Sequence, residues 1–335
     1  KLISIQKSNM LKVKKMQNTD YFDTNYSIIS DPNTGGILAI SGLKIKDDTF
    51  SDVSSNIMFT SYTVGSVIKG ASNTVGYLNN VILKGQKIRD GCVKIHYVPK
   101  KCSFKDLGYL DDITALKQSS NYYQFMTAIK LTGNTYKYNM DLPVDISDFN
   151  KYRDVFALFG LGSSTGIDFP KENTGIKGST ISSDLYLNLA IGQYDTYTPL
   201  QILNYINTIA NNGIRYKLSL VKKEAEILNQ VPLDSESFER IKEGFYQVVN
   251  GGTANNYVDK KYKAAGKTGT AQSYYSKDIT TINTTFAVFM PRDNPKYSMV
   301  IMNPNISIEN AKYKYNAPLS RLISKEITNY MFANT

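Results

Sequence analysis

The stretch that decides the fold is YTVGSVIKG, residues 62–70, in which Ser66 stands three residues before Lys69. Apolar residues at helical spacing follow it, so the stretch predicts a helix, and positions i and i+3 of a helix share one face. A serine attacks a carbonyl only after a base accepts its proton, and a lysine can be that base where burial or a nearby cation lowers its pKa. Ser-x-x-Lys alone occurs by chance in many chains, so the interpretation requires partners elsewhere.

Two further short motifs supply those partners. Ser119-Ser120-Asn121 is a Ser-x-Asn triplet in a region of helical pattern, and residues 267–270 read Lys-Thr-Gly-Thr on a predicted strand. A glycine in such a strand lets a substrate backbone approach closely. Ser-x-x-Lys, Ser-x-Asn and Lys-Thr-Gly in this order are the signature of penicillin-binding proteins and serine β-lactamases.

The apolar pattern predicts strands at both ends of the chain around a helical middle. Residues 26–44 predict a hairpin around an Asp-Pro-Asn-Thr-Gly turn at 31–35, and residues 105–245 are mainly helical in pattern. The predicted helices are 112–130, 184–190, 198–212, 235–250 and 316–332, and the later predicted strands are 264–275, 280–291 and 297–305. Together these elements predict an α+β fold with an antiparallel sheet and a helical insertion.

The domain organisation follows from the same pattern. Residues 1–25 are polar and weakly patterned, and we interpret them as a linker or the remnant of a preceding module. We interpret residues 26–335 as one domain. Its sheet subdomain is expected at about 26–65 and 235–335, with a helical insertion at about 66–234.

The composition limits the possible partners. The chain has 335 residues, 41% of them hydrophobic, and a net charge of +10 with a sequence pI of about 9.2. Such a surplus favours anionic surroundings, but the basic residues are dispersed and form no nucleic-acid-binding motif, so we expect no nucleic-acid partner. No apolar run approaches the roughly 20 residues of a membrane span. The chain begins with Lys, so we expect it to be part of a longer protein.

Beyond the three motifs, the chain resembles class B penicillin-binding proteins over roughly residues 26–332. The resemblance includes the opening hairpin and several later landmarks. These are FGLGSSTGIDFPKENTG (159–175), AIGQYDTYTPLQILNYINTIANNG (190–213), GGTA (251–254) and FAVFMPRDNPKYSMVIM (286–302). One departure is Val64, which stands where many members have proline before Gly-Ser. The departure should alter the turn into the helix but removes no chemical group.

The resemblance implies a fold, an activity and a location. The implied fold is that of penicillin-binding proteins and serine β-lactamases, a central antiparallel sheet flanked by helices plus an all-helical subdomain. The implied activity is a D,D-transpeptidase that cross-links peptidoglycan stem peptides ending in D-Ala-D-Ala, is acylated by β-lactams and needs no catalytic cofactor. The parent protein would have one N-terminal membrane anchor and a pedestal domain. It would work on the extracytoplasmic face of the bacterial membrane with a membrane glycosyltransferase.

The resemblance also assigns the acylation machinery. Ser66 would attack the carbonyl of the penultimate D-alanine, and Lys69 would accept its proton. Lys267 would hold the pKa of Lys69 down by like-charge repulsion and attract the substrate carboxylate. Ser119 would relay a proton to the leaving amine, and Asn121 would orient the Lys69 amine and the amide of the acyl chain.

Substrate binding is assigned to the third motif. The hydroxyls of Thr268 and Thr270 would bind the terminal carboxylate of a substrate or β-lactam, and Gly269 would allow close approach. The backbone N–H groups of Ser66 and Thr270 would form the oxyanion hole.

The two cysteines and the single histidine lie within eleven residues. Cys92, His96 and Cys102 form a Cys-x3-His-x5-Cys cluster, and two thiolates with one imidazole suit tetrahedral Zn²⁺. We expect a structural zinc with Asp90 as the fourth ligand and Asp106 as the second choice. A Cys92–Cys102 disulfide, which would persist outside the membrane, and two unrelated free cysteines stay open.

Two rival functions use the same residues. A β-lactamase would need a base that hydrolyses the acyl-enzyme, but no Glu-x-x-Leu-Asn is present and EILN at 226–229 is one residue short. In class D β-lactamases the middle motif ends in valine, where this chain has Asn121. A sensor that is acylated without turnover is the other rival, and the Thr-Pro-Leu-Gln segment and the transpeptidase flanks argue against it.

Overall fold

The computed structural model describes residues 1–221, 224–309 and 318–334, and strands from the two ends of the chain meet in one sheet. The first hairpin forms where it was predicted. Asp31 accepts a hydrogen bond from the backbone N–H of Asn33 at 2.9 Å, and Gly35 has a φ of +75°, which glycine reaches without strain. The predicted α+β class is confirmed.

The strands divide into one large sheet and several short ladders. In chain order they are β1 (Thr24–Ser30), β2 (Ile37–Lys46), β3 (Thr49–Asp52), β4 (Ile88–Arg89), β5 (Cys92–Val93), β6 (Lys101–Cys102), β7 (Tyr109–Leu110), β8 (Ile214–Tyr216), β9 (Ile227–Gln230), β10 (Ala265–Ser276), β11 (Ile279–Met290) and β12 (Tyr297–Ile308). The large sheet has the order β10-β11-β12-β1-β2-β3 and is antiparallel throughout. Among the strands of the described residues, β10 is therefore an edge strand, and one row of its backbone groups is paired with no other strand.

The helices surround this sheet. In chain order they are α1 (Leu2–Lys14), α2 (Asn56–Phe59), α3 (Lys69–Leu78), α4 (Asp112–Gln118), α5 (Asn121–Leu131), α6 (Ile146–Leu158), α7 (Ser183–Leu189), α8 (Pro199–Ala210), α9 (Ser235–Val249) and α10 (Pro318–Ala333). Within the described residues, no helix combines the length and the apolar character needed to cross a bilayer.

The two faces of the sheet bury two separate cores. Alternate residues of a strand point to opposite faces, and in β11 Phe286 and Val288 face one core while Ala287 and Phe289 face the other. Helices α1 and α10 cover the first face. Helix α8 lies against the second face, and every one of its residues is buried. It therefore packs between the sheet and the other helices of this core.

The structure differs from the sequence predictions, or adds to them, at several places. Residues 2–14, expected in a linker or the remnant of a preceding module, form helix α1. Its few apolar side chains pack beside α10. Because they are interspersed with lysines and asparagines, their helical periodicity is weak in the sequence. The predicted helix 112–130 is two helices, separated at Ser119. Helix α6 was not predicted. Of the predicted last helix, residues 316–317 lie outside the described part of the chain, and the division into two subdomains stays a prediction.

Candidate active site

Ser66 lies in a single 3₁₀ turn, Gly65–Ile68, that leads directly into α3. Gly65 has a φ of +60°, and its N–H donates to the carbonyl of Gly192 at 2.9 Å. A Cβ at position 65 would lie 2.3 Å from the carbonyl oxygen of Thr270, so a glycine is required where the turn meets β10. The Ser66 side chain is half-buried, and its hydroxyl makes no hydrogen bond to any described residue. This half-buried hydroxyl is therefore available to an approaching ligand.

Val64, the departure from the family pattern, precedes this turn. It is buried and has a φ of −112°, whereas proline holds φ near −65°. The backbone here thus adopts a conformation outside the range of proline. The Val64 carbonyl oxygen would lie 2.0 Å from a Cβ at position 269, so Gly269 is what allows β10 to approach the turn.

Lys69, the first residue of α3, is fully buried and lies among oxygen atoms. Its Nζ donates to the carbonyl oxygens of Ser119 at 2.8 Å and Ser120 at 3.1 Å, and to Oδ1 of Asn121 at 2.7 Å. An ammonium group can satisfy all three acceptors, whereas the neutral amine donates to two and keeps a lone pair. This side chain can therefore both hold a proton and accept one.

The Ser-x-Asn motif occupies the break between α4 and α5. Ser119 is in the left-handed conformation, with φ 57° and ψ 39°, and ends α4. Ser120 then begins α5 as its N-cap, with its Oγ accepting from the N–H of Tyr123 at 3.0 Å. This break brings Ser119 and Asn121 to the same amine, which one continuous helix over 112–130 would not do.

Lys267, on the edge strand β10, reaches the same place from the other side. It is fully buried, and its Nζ donates to Oγ of Ser119 at 2.9 Å and to the carbonyl of Thr268 at 2.9 Å. The Ser119 hydroxyl also lies 3.5 Å from Nζ of Lys69. The structure thus brings together one alcohol between two amines, and a carboxamide, close to the Ser66 turn.

Burial of two amines in one place lowers the pKa of both. For Lys69, desolvation holds the pKa well below its usual value, repulsion from Lys267 lowers it further, and the Asp90 carboxylate opposes both effects. For Lys267, desolvation lowers the pKa to about 7. Burial is therefore the larger cause for Lys69, and the like-charge repulsion inferred from the sequence is the second.

On the outer edge of β10, the backbone N–H of Thr270 is a hydrogen-bond donor beside this cluster. The N–H of Gln272 donates to Oε1 of Gln193 at 3.2 Å, its carbonyl accepts from Thr63 Oγ1 at 2.9 Å, and Gln193 Nε2 donates to the Thr270 carbonyl at 3.4 Å. Because residues two apart in a strand point their backbone groups to the same side, the N–H of Thr270 also faces away from β11. That N–H and the N–H of Ser66 are the two donors expected for an oxyanion.

The two threonines of the third motif lie on the same face of β10. Thr270 is exposed, and Thr268 shares a hydrogen bond of 2.8 Å between its hydroxyl and that of Thr253. Thr253, in the GGTA segment, and Gln193, in the Gly-Gln segment, were given no role from the sequence. Their place in landmark segments was the one available signal, because nothing local in a lone threonine or glutamine indicates a site.

A cleft of about 810 Å³ opens beside these residues, and Asn121, Gln193, Tyr194, Lys101 and Tyr274 contribute to its walls. Its volume fits a peptide-sized ligand. The cleft contacts both halves of the molecule, because Asn121 comes from the helical part and Tyr274 from the sheet.

The predicted zinc site is not what the structure contains. Cys92 and Cys102 pair in β5 and β6 and are joined in a disulfide, which is the alternative left open above. His96 Nδ1 lies 2.8 Å from Oδ1 of Asp141 instead, and Asp106 pairs with the guanidinium of Arg89. Across residues 1–221, 224–309 and 318–334, no group of three or more His, Cys, Asp or Glu side chains is placed to hold a metal ion.

Asp90, the expected fourth zinc ligand, has different partners. Its Oδ1 accepts hydrogen bonds from the hydroxyls of Ser103 at 2.9 Å and Ser120 at 2.7 Å. Because the disulfide holds the two strands of the small ladder together, the residues on either side of it meet beneath the Ser-x-Asn motif.

Comparison with known proteins places this chain in a family. The profile described as "Transpeptidase: Penicillin binding protein transpeptidase domain" matches residues 26–327. The chain is 36% identical to penicillin-binding protein 2A of Bacillus subtilis over 366 aligned positions, covering 98% of this chain and 51% of that protein. It is 29% identical over 240 positions to "Peptidoglycan D,D-transpeptidase MrdA" of Haemophilus influenzae, covering 58% of this chain and 35% of that protein.

A solved structure shares the fold. Penicillin-binding protein 2B of Streptococcus pneumoniae strain R6 superposes with a TM-score of 0.89 at 28% identity, covering 98% of this chain and 57% of that one. The chain spans about half the length of the curated relatives it matches.

Proposed function

Because this chain belongs to the penicillin-binding-protein transpeptidase family, we propose that it is a serine-type D-Ala-D-Ala transpeptidase. It cross-links peptidoglycan stem peptides through an acyl-enzyme on Ser66 and is acylated by β-lactams at the same atom. The observation that carries the proposal is the Ser119 hydroxyl held between the buried amines of Lys69 and Lys267. Such an arrangement lowers the pKa values of two lysines, which a structural site has no need to do.

In the first step Ser66 Oγ forms a bond to the carbonyl carbon of the penultimate D-alanine. The hydroxyl proton moves to the neutral amine of Lys69, which burial keeps available as a base. The negative charge that develops on the carbonyl oxygen is stabilised by the N–H groups of Ser66 and Thr270. Loss of one such donor typically costs about 3 kcal/mol of transition-state stabilisation.

The acyl-enzyme then forms when the bond to the last D-alanine breaks. The leaving amine takes a proton through the Ser119 hydroxyl, which the ammonium groups on either side can resupply. In a β-lactam the bond that breaks lies inside a ring, so the leaving amine stays attached and the adduct persists. With the natural substrate, an amine of a second stem peptide forms an amide bond to the acyl carbon, and the ester bond to Ser66 Oγ breaks. A proton released by the amine goes to Oγ and restores the Ser66 hydroxyl.

The carboxylate of the substrate binds at the third motif. Lys267 supplies the positive charge and the hydroxyls of Thr268 and Thr270 supply hydrogen bonds, while Asn121 aligns the peptide amide. A bound carboxylate raises the pKa of Lys267 from its value of about 7, so the ligand itself keeps this lysine protonated.

The proposed location is the extracytoplasmic face of a bacterial membrane. The Cys92–Cys102 disulfide supports it, because disulfides persist in oxidising compartments, and the net charge of +10 suits anionic wall polymers. For the parent protein we also propose an N-terminal membrane anchor, a pedestal domain and a membrane glycosyltransferase partner.

Intact mass spectrometry with and without benzylpenicillin tests the activity. We expect one stable adduct on Ser66, none in Ser66→Ala, and exchange of the terminal D-alanine of a model peptide for another D-amino acid. Ser4→Ala is the matched control, since Ser4 and Lys7 form another Ser-x-x-Lys pair, on an exposed face of α1. A short-lived adduct would indicate a β-lactamase instead, and a stable adduct without exchange would indicate a sensor.

A further inference from the structure

A buried carboxylate lies beneath the Ser-x-Asn motif and has no part in the chemistry above. Asp90 has 5% of its surface exposed, and no lysine or arginine forms an ion pair with it within the described residues. Its Oδ2 is buried and has no hydrogen-bond partner in the same part of the chain. A buried carboxylate with an unsatisfied oxygen is costly, so its presence calls for a physical reason.

The two hydrogen bonds that the Asp90 side chain accepts connect it to one turn. Its Oδ1 accepts from Ser120 Oγ, and Ser120 is the N-cap of α5 and gives its carbonyl to Lys69 Nζ. Its other donor, Ser103 Oγ, lies 3.2 Å from the backbone nitrogens of both Asn121 and Tyr122 and accepts from their N–H groups. One carboxylate oxygen thus orders both hydroxyls that satisfy the first N–H groups of α5.

We propose that Asp90 is a positioning residue of the active site, which acts through two serine hydroxyls to hold the Ser119–Asn121 turn against Lys69. The role rests on the proposed transpeptidase function, because the turn it places is the one that contacts both amines. Its negative charge also lies at the N-terminus of α5, an 11-residue helix whose dipole favours an anion there.

Asp90 also acts on Lys69 through its charge. The charged groups that affect the Lys69 amine are Lys267 from β10, which lowers its pKa, and Asp90, which raises it. Removal of the Asp90 charge therefore lowers the pKa of Lys69 further. The neutral amine then forms at lower pH, and the rising part of the pH profile of acylation moves to lower pH.

The test compares Asp90→Asn with Asp90→Ala. We expect the acylation rate constant k2 for a fluorescent penicillin to fall about 10- to 100-fold in Asp90→Ala, because a displaced catalytic turn loses its alignment, with little change in initial binding. Asp90→Asn keeps an oxygen acceptor for both serines, so we expect a smaller loss. The rising part of its pH profile should shift to lower pH, which a purely structural residue would not cause.

Asp106→Asn is the matched control, because it removes an exposed carboxylate from the connection between β6 and β7, where it pairs with Arg89. It should keep the wild-type k2 and pH profile. If Asp90→Ala does not fold, the pH profile of the isosteric Asp90→Asn decides.

The inference is overturned if the Asp90 variants acylate like the wild type, or if both lose the same activity with an unshifted profile. A wild-type protein that takes no penicillin would instead reject the proposed function, so the two failures are distinct.

Discussion

Two of the four Ser-x-x-Lys pairs in this sequence, Ser4/Lys7 and Ser66/Lys69, have opposite surroundings. Ser4 and Lys7 lie on α1 with both side chains exposed, and the Lys7 ammonium lies 5.4 Å from the centre of the Phe50 ring. Lys69 is fully buried, and three oxygens of the Ser-x-Asn motif receive its hydrogen bonds. The motif is the same, so the difference in chemistry comes from what the rest of the chain places around the lysine.

The largest expected effect separates the two lysines directly. In Lys69→Met we expect acylation by a fluorescent penicillin to fall by about 10³-fold or more, because a positioned general base contributes 10²–10⁴. Methionine removes the cost of burying an amine but also removes the donor of three acceptor oxygens, so a cooperative thermal unfolding transition is the check that the variant is folded. Lys7→Met should leave acylation at the wild-type rate. Equal losses in the two variants would show that the surroundings of Lys69 do not give it a special role.

The same contrast shows how much the sequence could predict. The order of the three motifs and the flanking landmarks identified the residues that meet at Lys69, since each matched a position of a known pattern. The break at Ser119 was not predictable from helical periodicity, because the apolar spacing continues across it and only the left-handed backbone of that serine ends α4.

The zinc site predicted at the two cysteines was wrong for a related reason. Their spacing fits either a metal or a disulfide, and the choice depends on whether β5 and β6 pair so that Cys92 faces Cys102. Asp90 was predicted as a ligand because of its position in sequence, whereas its partners Ser103 and Ser120 come from a loop and a helix cap that pattern analysis does not place. Contacts between short loops are set by tertiary packing, which single-sequence patterns do not report.

The Cys92–Cys102 disulfide stabilises the loops beneath the Ser-x-Asn motif. Loss of the disulfide in the double variant Cys92→Ser, Cys102→Ser should lower the free energy of unfolding by about 2–3 kcal/mol, the chain-entropy value for a loop with its sequence separation of 10. Urea unfolding measures the change, and Lys7→Met is the unperturbed reference.

The disulfide itself is checked by mass. Under non-reducing conditions we expect the wild type about 2 Da below the mass of the reduced chain, since two thiol hydrogens are lost. Two free thiols together with one equivalent of zinc in the purified protein would contradict the structure and restore the ligand set predicted from the sequence.

A buried lysine also changes how stability depends on pH, and an exposed one does not. The pKa of Lys267 is about 7 in the folded protein and near 10.4 when unfolded, so between these values the unfolded state binds more protons. Stability from this group therefore rises with pH from about 7 to 10, by up to about 1.4 kcal/mol per pH unit.

Urea unfolding at pH 7, 8 and 9 measures this slope. The slope should be smaller in Lys267→Met than in the wild type, whereas Lys7→Met should keep the wild-type slope. A slope that is unchanged in Lys267→Met would show that this amine is protonated in the folded protein over the whole range.

The smallest expected effect distinguishes the roles of the two buried amines. Binding of a β-lactam carboxylate needs protonated Lys267. The second-order rate constant of acylation, k2/K, where K is the dissociation constant of the initial complex, should therefore decline above a pH of about 7, by a factor of a few between pH 7 and pH 8. The rate constant k2 at saturation should lack this decline over the same range, because the bound carboxylate keeps Lys267 protonated. Lys267→Arg provides the control, since a guanidinium stays charged and should move the decline to higher pH even if it lowers the rate. A decline of k2 with the same midpoint as k2/K would instead assign the proton to the chemical step, and Lys267 would then act through the Ser119 hydroxyl rather than through the carboxylate.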